Sequence, residues 1–155
     1  MDGREDILSG QIDPGGAVNQ AEIFAFITKN PYCALATVEG HQPRVRTLMS
    51  LRVDERGILF NTGKAKDLYR QIQANPDVEL CYYDPVAKVQ VRISGRLVAQ
   101  DDAATHQVVL EKLPFLRPLV EAKGTGLLAP YLLKNGRVTV WTMATNLAPK
   151  TFIEL

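Results

Sequence analysis

Cationic side chains are spaced through the middle of the chain in a pattern that suits the binding of an anion. Arg44 and Arg46 stand two residues apart in an alternating segment, and strand side chains at this spacing share one face of a sheet. Lys64 and Lys66 follow residues 61–63, at the start of a segment with helical periodicity. A helix start offers free N–H groups and partial positive charge, so we expect an anion-binding corner that Arg46 completes with two parallel N–H groups.

The same four cations also have an ordinary interpretation as surface charge. Most lysines and arginines of soluble proteins are solvated, so the spacing alone favours exposed surface over an anion site. One consideration favours the site, because cationic charge at a helix start is mildly unfavourable when no anion is present.

Few other residues are placed where they could do chemistry. His41 falls in a predicted turn and His106 in a helical segment, without a second histidine or cysteine at ligand spacing, so we expect solvated histidines and no metal site. Asp101 and Asp102 precede a helical segment and are interpreted as an N-cap and first-turn charge. The sequence contains no GxSxG, HExxH or P-loop motif.

Composition narrows the class of protein. The chain has 155 residues, 46% of them hydrophobic, and a net charge of +1, which is typical of an ordinary globular domain and gives no basic field for nucleic acid. No segment approaches the ~20 apolar residues of a membrane span, and the N-terminus lacks the apolar region of a signal peptide. Cys33 and Cys81 lie in apolar segments without a CxxC pair, which favours buried free thiols over a disulfide. We therefore expect a cytoplasmic protein that binds neither nucleic acid nor membrane.

Periodicity and turn residues divide the chain into short strands and a few helices. Residues 1–17 are polar and aperiodic and are predicted to form a flexible N-terminal leader, followed by a single domain over residues 18–155. Asn19 and Glu22 form a capping-box pattern at the start of the first helix. Further helices are predicted from about residues 66, 101 and 116, a loop at 124–130, and strands at 32–38, 43–53, 58–61, 78–83, 88–99 and 137–145, with an edge strand at 151–155. Mostly sequential antiparallel strands interrupted by helices predict a mainly β fold with helices (α+β), namely a six-stranded antiparallel split β-barrel.

Three segments together resemble the FMN-binding split-barrel family related to pyridoxamine 5′-phosphate oxidase, namely PYCALATVEGHQPRVRTL, GILFNTGKAKDLYRQIQANPDVEL and VQVRISGRLV. The resemblance runs from about Ala21 to the C-terminus and is greatest with the small members of the family, which include nitroimidazole-resistance-type proteins. It implies a homodimer that holds FMN in a groove between subunits, with the flavin phosphate bound by arginine, threonine and lysine.

The resemblance assigns particular residues of this chain to the cofactor. Arg46 matches the arginine of the second strand, Lys66 matches a helix-start lysine, and Gln90 matches a flavin-side glutamine. Spacing and resemblance together predict the cofactor-binding residues Arg46, Thr47, Leu48, Asn61, Thr62, Lys64, Lys66 and Gln90. Neither spacing nor resemblance assigns a catalytic residue.

The chain departs from the pyridoxamine 5′-phosphate oxidases where those enzymes hold their substrate. Leu51 stands in the place of a strand lysine, and the C-terminal segment TVWTMATNLAPKTFIEL lacks an arginine and histidine set. Oxidation of pyridoxamine phosphate is therefore not expected.

Two functions of different classes fit these features. The first is an FMN-dependent oxidoreductase, in which the flavin carries hydride or electron chemistry to a small molecule such as a nitro- or quinone-like acceptor. The second is a non-catalytic flavin or haem carrier or stress-related protein on the same barrel. Trp141, the sole tryptophan, can pack in the core, which we favour, or stack near the flavin.

Overall fold

An antiparallel sheet of eight strands forms the centre of the fold in the computed structural model, which describes residues 11–13 and 16–155. The mainly β fold with helices that the sequence predicts is confirmed. The elements in chain order are α1 (Gln20–Lys29), β1 (Tyr32–Glu39), β2 (Gln42–Met49), β3 (Arg52–Asp54), β4 (Gly57–Gly63), α2 (Asp67–Ala74), β5 (Asp77–Asp84), β6 (Val89–Ala99), α3 (Ala103–Lys112), α4 (Arg117–Lys123), β7 (Leu128–Trp141) and β8 (Ile153–Glu154).

The order of strands in the sheet is β2-β1-β5-β6-β7-β4-β3, and β8 pairs with β7. Strands β2 and β3 therefore lie at opposite ends of this order although only Ser50 and Leu51 separate them in the chain. The Ser50 N–H donates to the Pro31 carbonyl beside β1, and the Leu51 N–H donates to the Leu59 carbonyl in β4, both at 2.8 Å. The chain thus crosses between the two ends of the sheet at this point, which brings those ends together.

The strands differ from the prediction both in number and in bounds, each for a physical reason. The predicted strand 43–53 is divided at Ser50, where the chain changes partners from β1 to β4. Strand β7 begins at Leu128 instead of residue 137, so it includes part of the predicted loop 124–130. Residues 128–133 are all buried, because one side faces the main core and the other faces helix α3, and this removes the alternation that marks a half-exposed strand.

The hydrophobic core has two parts. The main cluster fills the inner face of the sheet and includes Ile23 and Phe26 of α1. A smaller cluster, containing Leu59 and Val109, lies between β4, β7 and α3. Ile12 also belongs to the main cluster and is only 6% exposed, although it falls in the predicted leader. Most of that leader lies outside the described residues, and the division into residues 1–17 and 18–155 stays a prediction.

The predicted capping box is confirmed, and of the two acids before α3 Asp102 is the N-cap, whereas no acidic residue lies in the first turn of that helix. Asn19 accepts from the Glu22 N–H at 3.0 Å, and the Glu22 carboxylate accepts from the Asn19 N–H at 2.7 Å, which completes the capping box. Asp102 caps α3 by accepting from the Thr105 N–H at 2.8 Å. No helix in the described part of the chain is both long and apolar enough to cross a membrane.

The two cysteines are free thiols, as predicted. Cys33 is buried on the inner face of β1, whereas Cys81 is only partly buried. Cys33 contacts the Tyr82 hydroxyl, which in turn lies 2.7 Å from the Ser50 hydroxyl. Burial in this apolar environment raises the pKa of Cys33 to about 12, so this thiol is not a nucleophile at neutral pH.

Candidate anion-binding site

A cleft of about 620 Å³ opens between the β1–β2 hairpin and the start of α2. Arg44 and Arg46 of β2 line one side of the cleft, and Lys66 and Gln71 line the other. The predicted arginine and helix-start lysine are therefore brought together, although 20 positions separate Arg46 from Lys66 in the sequence.

The register of the hairpin explains why the arginines face this cleft. Arg44 lies opposite Thr37 and Arg46 opposite Leu35, and opposed residues of an antiparallel pair point to the same face of the sheet. Thr37 and Leu35 are both buried, so the arginine face of β2 is the inner face of the sheet. Near this end of the sheet the inner face is not covered by the core and opens into the cleft.

The Arg46 guanidinium is fixed by three hydrogen bonds within the protein. Nη1 donates to the Leu35 carbonyl at 3.2 Å and to the Thr37 hydroxyl at 2.8 Å, and Nη2 donates to the side-chain oxygen of Gln71. The Thr37 hydroxyl also donates to the same Gln71 oxygen at 2.6 Å. Thr37 and Gln71 are both buried, so this polar network has a defined geometry.

Two N–H donors of the Arg46 guanidinium have no hydrogen-bond partner among the described residues. A guanidinium has five N–H donors, and the protein uses three of those on Arg46. Because the Thr37 and Gln71 oxygens are hydrogen-bonded to each other, they share the edge of the guanidinium between Nη1 and Nη2. The edge formed by Nε–H and the second Nη2–H has no partner among the described residues, and two parallel donors of this kind suit a phosphate or carboxylate.

The charge of Arg46 is also left without a carboxylate partner. Among the residues that the structure describes, every other arginine on a strand forms an ion pair; Arg44, for example, pairs with Glu39 at 2.8 Å. Burial, followed by the nearby charge of Arg44, lowers the pKa of Arg46, and the carboxylates of Asp67 and Glu39 offset this only in part. A lowered pKa in a cation means that its charged form is under-stabilised, so a bound anion would restore the missing stabilisation.

Lys66 stands at the N-cap position of α2, and its side chain makes no capping hydrogen bond. Lys66 lines the cleft at the end of α2 where the first backbone N–H groups of the helix lack intrahelical partners. Asp67 also lines the cleft, and its exposed carboxylate lies 2.7 Å from the guanidinium of Arg70. The start of α2 thus adds a second positive element to the cleft.

The other predicted site residues on β2, β4 and the following turn lie outside this cleft. Thr47 is exposed on the outer face of β2, and Leu48 packs against the main core. Thr62 is buried on β4, whereas the side-chain oxygen of Asn61 is buried without a hydrogen-bond partner in the described residues. The ammonium of Lys64 is held 3.1 Å from the carboxylate of Asp101, away from Arg46.

Gln90 belongs to a second cavity of about 520 Å³ between β6, β7 and the C-terminal segment. It is the β-sheet partner of Trp141, which lines the same cavity. The Trp141 ring N–H donates to the Asn146 side chain at 2.9 Å, and Trp141 belongs to neither hydrophobic cluster. The favoured interpretation of Trp141 as a core residue is therefore wrong.

The histidines were predicted to be solvated, and this holds for His41 alone. The side chain of His106 is 13% exposed and its Nε2 lies 2.6 Å from the Asp101 carboxylate, because α3 turns the ring back onto the residue before the helix. In the described residues, no group of three or more histidine, cysteine or acidic side chains is placed to hold a metal ion.

Sequence reasoning missed Thr37 and Gln71. A signal for Gln71 was present, because it lies between Leu68 and Ile72 on the buried face of α2, where an amide needs a buried partner. Thr37 likewise continues the inward alternation of Cys33 and Leu35 on β1. Neither position shows from the sequence that both side chains bond the same arginine.

Residues 20–113 match the family model described as pyridoxamine 5′-phosphate oxidase. Over 78 residues the chain is 38% identical to pyridoxine/pyridoxamine 5′-phosphate oxidase of Pseudomonas putida (strain GB-1), which covers 48% of this chain but only 36% of that enzyme. A NimC/NimA family protein from Clostridium acetobutylicum has a similar fold, with a TM-score of 0.69, 23% identity, and coverage of 84% of this chain and 87% of that one. A pyridoxamine 5′-phosphate oxidase-related, FMN-binding protein from Nostoc punctiforme has a TM-score of 0.60 at 18% identity, covering 90% of this chain and 99% of that one. These similarities confirm the predicted split-barrel fold.

Proposed function

The chain belongs to the pyridoxamine 5′-phosphate oxidase family, and from this premise we propose that it is an FMN-binding flavoprotein, an FMN-dependent oxidoreductase that acts on a small molecule. The observation that carries this proposal is the free two-donor edge of Arg46, a residue that lines the same cleft as Lys66. A nitro- or quinone-like compound is the proposed acceptor class.

The charged groups of the cleft suit the phosphate group of FMN. A phosphate monoester carries up to two negative charges and several acceptor oxygens, which match the two free donors of Arg46 and the ammonium of Lys66. The lowered pKa of Arg46 has the sign expected of a site that lacks its anion. The residues present therefore fit the cofactor.

The flavin and the side chains of the cleft would have different roles in the proposed reaction. When bound, the isoalloxazine ring of FMN supplies hydride or electron transfer. Arg46 and Lys66 bind and orient the phosphate end, and Thr37 and Gln71 hold Arg46 in place. The chain then needs no side-chain nucleophile, which agrees with the buried, unreactive state of Cys33.

We also propose that the active form is a homodimer. The outer face of strands β1, β2 and β5 carries apolar side chains that remain exposed, namely Tyr32 (64%), Val38 (40%), Val45 (69%) and Tyr83 (48%). Val45 also lines the cleft, so this apolar face is continuous with the proposed cofactor site. A second copy of the chain packed on this face would bury the apolar surface and close the open side of the cleft.

Oxidation of pyridoxamine phosphate is not part of the proposal. The match to the Pseudomonas putida enzyme covers only 36% of that enzyme's length. Leu51, which stands in the place of a strand lysine, is 5% exposed and packs in the smaller hydrophobic cluster. The position therefore offers no charged group to a substrate phosphate.

The cytoplasmic location stays a prediction. The two free thiols support it, because neither cysteine has been drawn into a disulfide.

The decisive experiment is an absorption spectrum of the protein purified without added cofactor, followed by titration of the stripped protein with FMN and with riboflavin. We expect a flavin spectrum and much tighter binding of FMN, since riboflavin lacks the phosphate. Sedimentation of the flavin-loaded protein should give a mass of about twice 17.2 kDa, as expected of a dimer. Oxidation of NADH or NADPH in the presence of a nitro or quinone acceptor should require bound flavin. Equal affinity for the two ligands would overturn the phosphate site, and a haem spectrum with no flavin binding would favour the carrier hypothesis.

A further inference from the structure

Gln71 is a buried amide at the meeting point of three elements. It lies on α2, its side-chain oxygen accepts from Thr37 of β1 and from Arg46 of β2, and it is 5% exposed. Lys66 begins the same helix five positions earlier. One side chain therefore connects the two cationic elements of the cleft.

We propose that Gln71 is a positioning residue that sets the phosphate selectivity of the cleft by orienting Arg46 without neutralising it. This inference rests on the proposed function, because it concerns how that site binds its anion. Gln71 itself need not touch the ligand.

The orienting role follows from which edge of the guanidinium is used. Gln71 and Thr37 together take the edge between Nη1 and Nη2, which leaves the Nε edge as the fork available to an anion. A free arginine side chain populates several rotamers, and ordering it on binding costs conformational entropy. Because Gln71 and Thr37 hold the guanidinium in advance, that cost is met during folding.

The side chain of Gln71 is a neutral amide and not a carboxylate, and this difference affects the charge of Arg46. A glutamate at this position would orient Arg46 equally well but would form an ion pair with it. Every other arginine on a strand of the described chain has such a carboxylate partner, whereas Arg46 has the neutral oxygen of Gln71. The neutral acceptor keeps the full charge of Arg46 available to the ligand.

Substitutions at Gln71 separate orientation from charge. Gln71→Glu keeps the acceptor and adds a negative charge, whereas Gln71→Met keeps the size of the side chain and removes the acceptor. We expect Gln71→Glu to weaken FMN by about tenfold or more, in line with the loss of one charged hydrogen bond, and Gln71→Met to weaken it by a smaller factor. Riboflavin affinity should be unchanged in both variants.

The matched control is Gln73→Glu, the same substitution two residues further along α2. Gln73 is exposed, donates to the Tyr131 hydroxyl at 2.8 Å, and does not line the cleft. This variant adds the same charge to the same helix, so the ratio of FMN to riboflavin affinity should stay at the wild-type value.

A double-mutant cycle tests whether Gln71 acts through Arg46. In an Arg46→Met background, adding Gln71→Met should cause no further loss of FMN affinity, because there is no guanidinium left to orient. A purely structural role of Gln71 would instead lower the affinity for FMN and riboflavin together, and would do so in both backgrounds.

The measured affinities distinguish failure of the Gln71 proposal from failure of the proposed function. If the wild-type protein prefers FMN to riboflavin and Gln71→Glu and Gln71→Met keep that preference, the inference is wrong and the phosphate site stands. If the wild-type protein shows no such preference, the proposed function itself is wrong. Should Gln71→Met fail to fold, Gln71→Glu still decides, since its side chain retains the acceptor for Thr37, and circular dichroism checks the fold of each variant.

Discussion

The cleft at Arg46 and the cavity at Gln90 and Trp141 differ in how their charges are treated. In the cleft, a buried threonine and a buried glutamine hold Arg46 but leave its charge uncompensated. In the cavity, the nearest strand cation, Arg92, is already paired with Glu79 at 2.5 Å. The cavity is therefore a mixed polar and aromatic surface, whereas the cleft contains a strand arginine that forms no ion pair with any described residue.

The contrast between Arg46 and Arg92 indicates how a candidate anion-binding site can be recognised in a structure without a bound ligand. Ion pairs on exposed strands are common and contribute little, so a paired arginine such as Arg92 carries no functional signal. An arginine that is ordered by neutral acceptors has been kept charged at a cost in desolvation. Binding of an anion would recover that cost.

Removing Arg46 should have the largest effect on the contrast between the two regions. We expect Arg46→Ala to weaken FMN by about tenfold or more with riboflavin unchanged, because a charged hydrogen bond contributes about 1.5 to 3 kcal/mol. Arg44→Ala is the matched control, since Arg44 is paired with Glu39 and half exposed and should contribute ~0 to 1 kcal/mol. Flavin fluorescence titration measures both. A larger loss for Arg44→Ala, with both variants folded, would mean that the phosphate lies elsewhere.

The two lysines near α2 should differ by a smaller amount. Lys66→Ala should weaken FMN by roughly threefold to fivefold, because an exposed charge pair contributes up to about 1 kcal/mol. Lys64→Ala should leave FMN affinity close to wild type, since the Lys64 ammonium is already engaged by Asp101. Titration at low and high salt checks the assignment, because the Lys66 effect should shrink as salt rises. The opposite order of the two variants would require Lys64 to leave Asp101 when the anion binds.

The smallest effect on phosphate selectivity is expected at the second cavity. Trp141→Phe keeps an aromatic ring and removes the N–H that bonds Asn146. It should leave the ratio of FMN to riboflavin affinity unchanged, whatever it does to the two affinities together. The same titrations of Gln90→Ala extend the test to the other side of the cavity. Selective loss of FMN in either variant would show that the phosphate reaches this cavity and that the contrast between the regions is wrong.

Much of the fold and part of the site could be predicted from the sequence. The capping pattern at Asn19, the hairpin and the helix that begins near Lys66 follow from local periodicity and turn residues, and the structure has all three. Arg46 and Lys66 meet in one cleft because hairpin and helix each present their cations at the predicted positions.

The remainder depends on contacts between segments that are distant in the sequence. The early start of β7 at Leu128 is hidden because a strand buried on both sides does not alternate, and Pro130 has the appearance of a strand breaker. The diversion of Lys64 to Asp101 and the network of Thr37 and Gln71 are likewise side-chain contacts that no local pattern encodes.

The Ser50–Leu51 crossing joins a strand that pairs with its neighbour in sequence, β2 with β1, to the region of β4, which pairs with the distant β7. The residues that hold Arg46 lie close in sequence, with Thr37 and Gln71 34 positions apart, so the cleft forms from one contiguous stretch. Strand β4, in contrast, pairs with a distant strand, Ile58 lying opposite Leu133. Bringing these two strands together costs conformational entropy before their hydrogen bonds can form. We therefore expect closure of the barrel to be the slow step of folding. Refolding should therefore order the hairpin and the cleft at Arg46 before the sheet is complete.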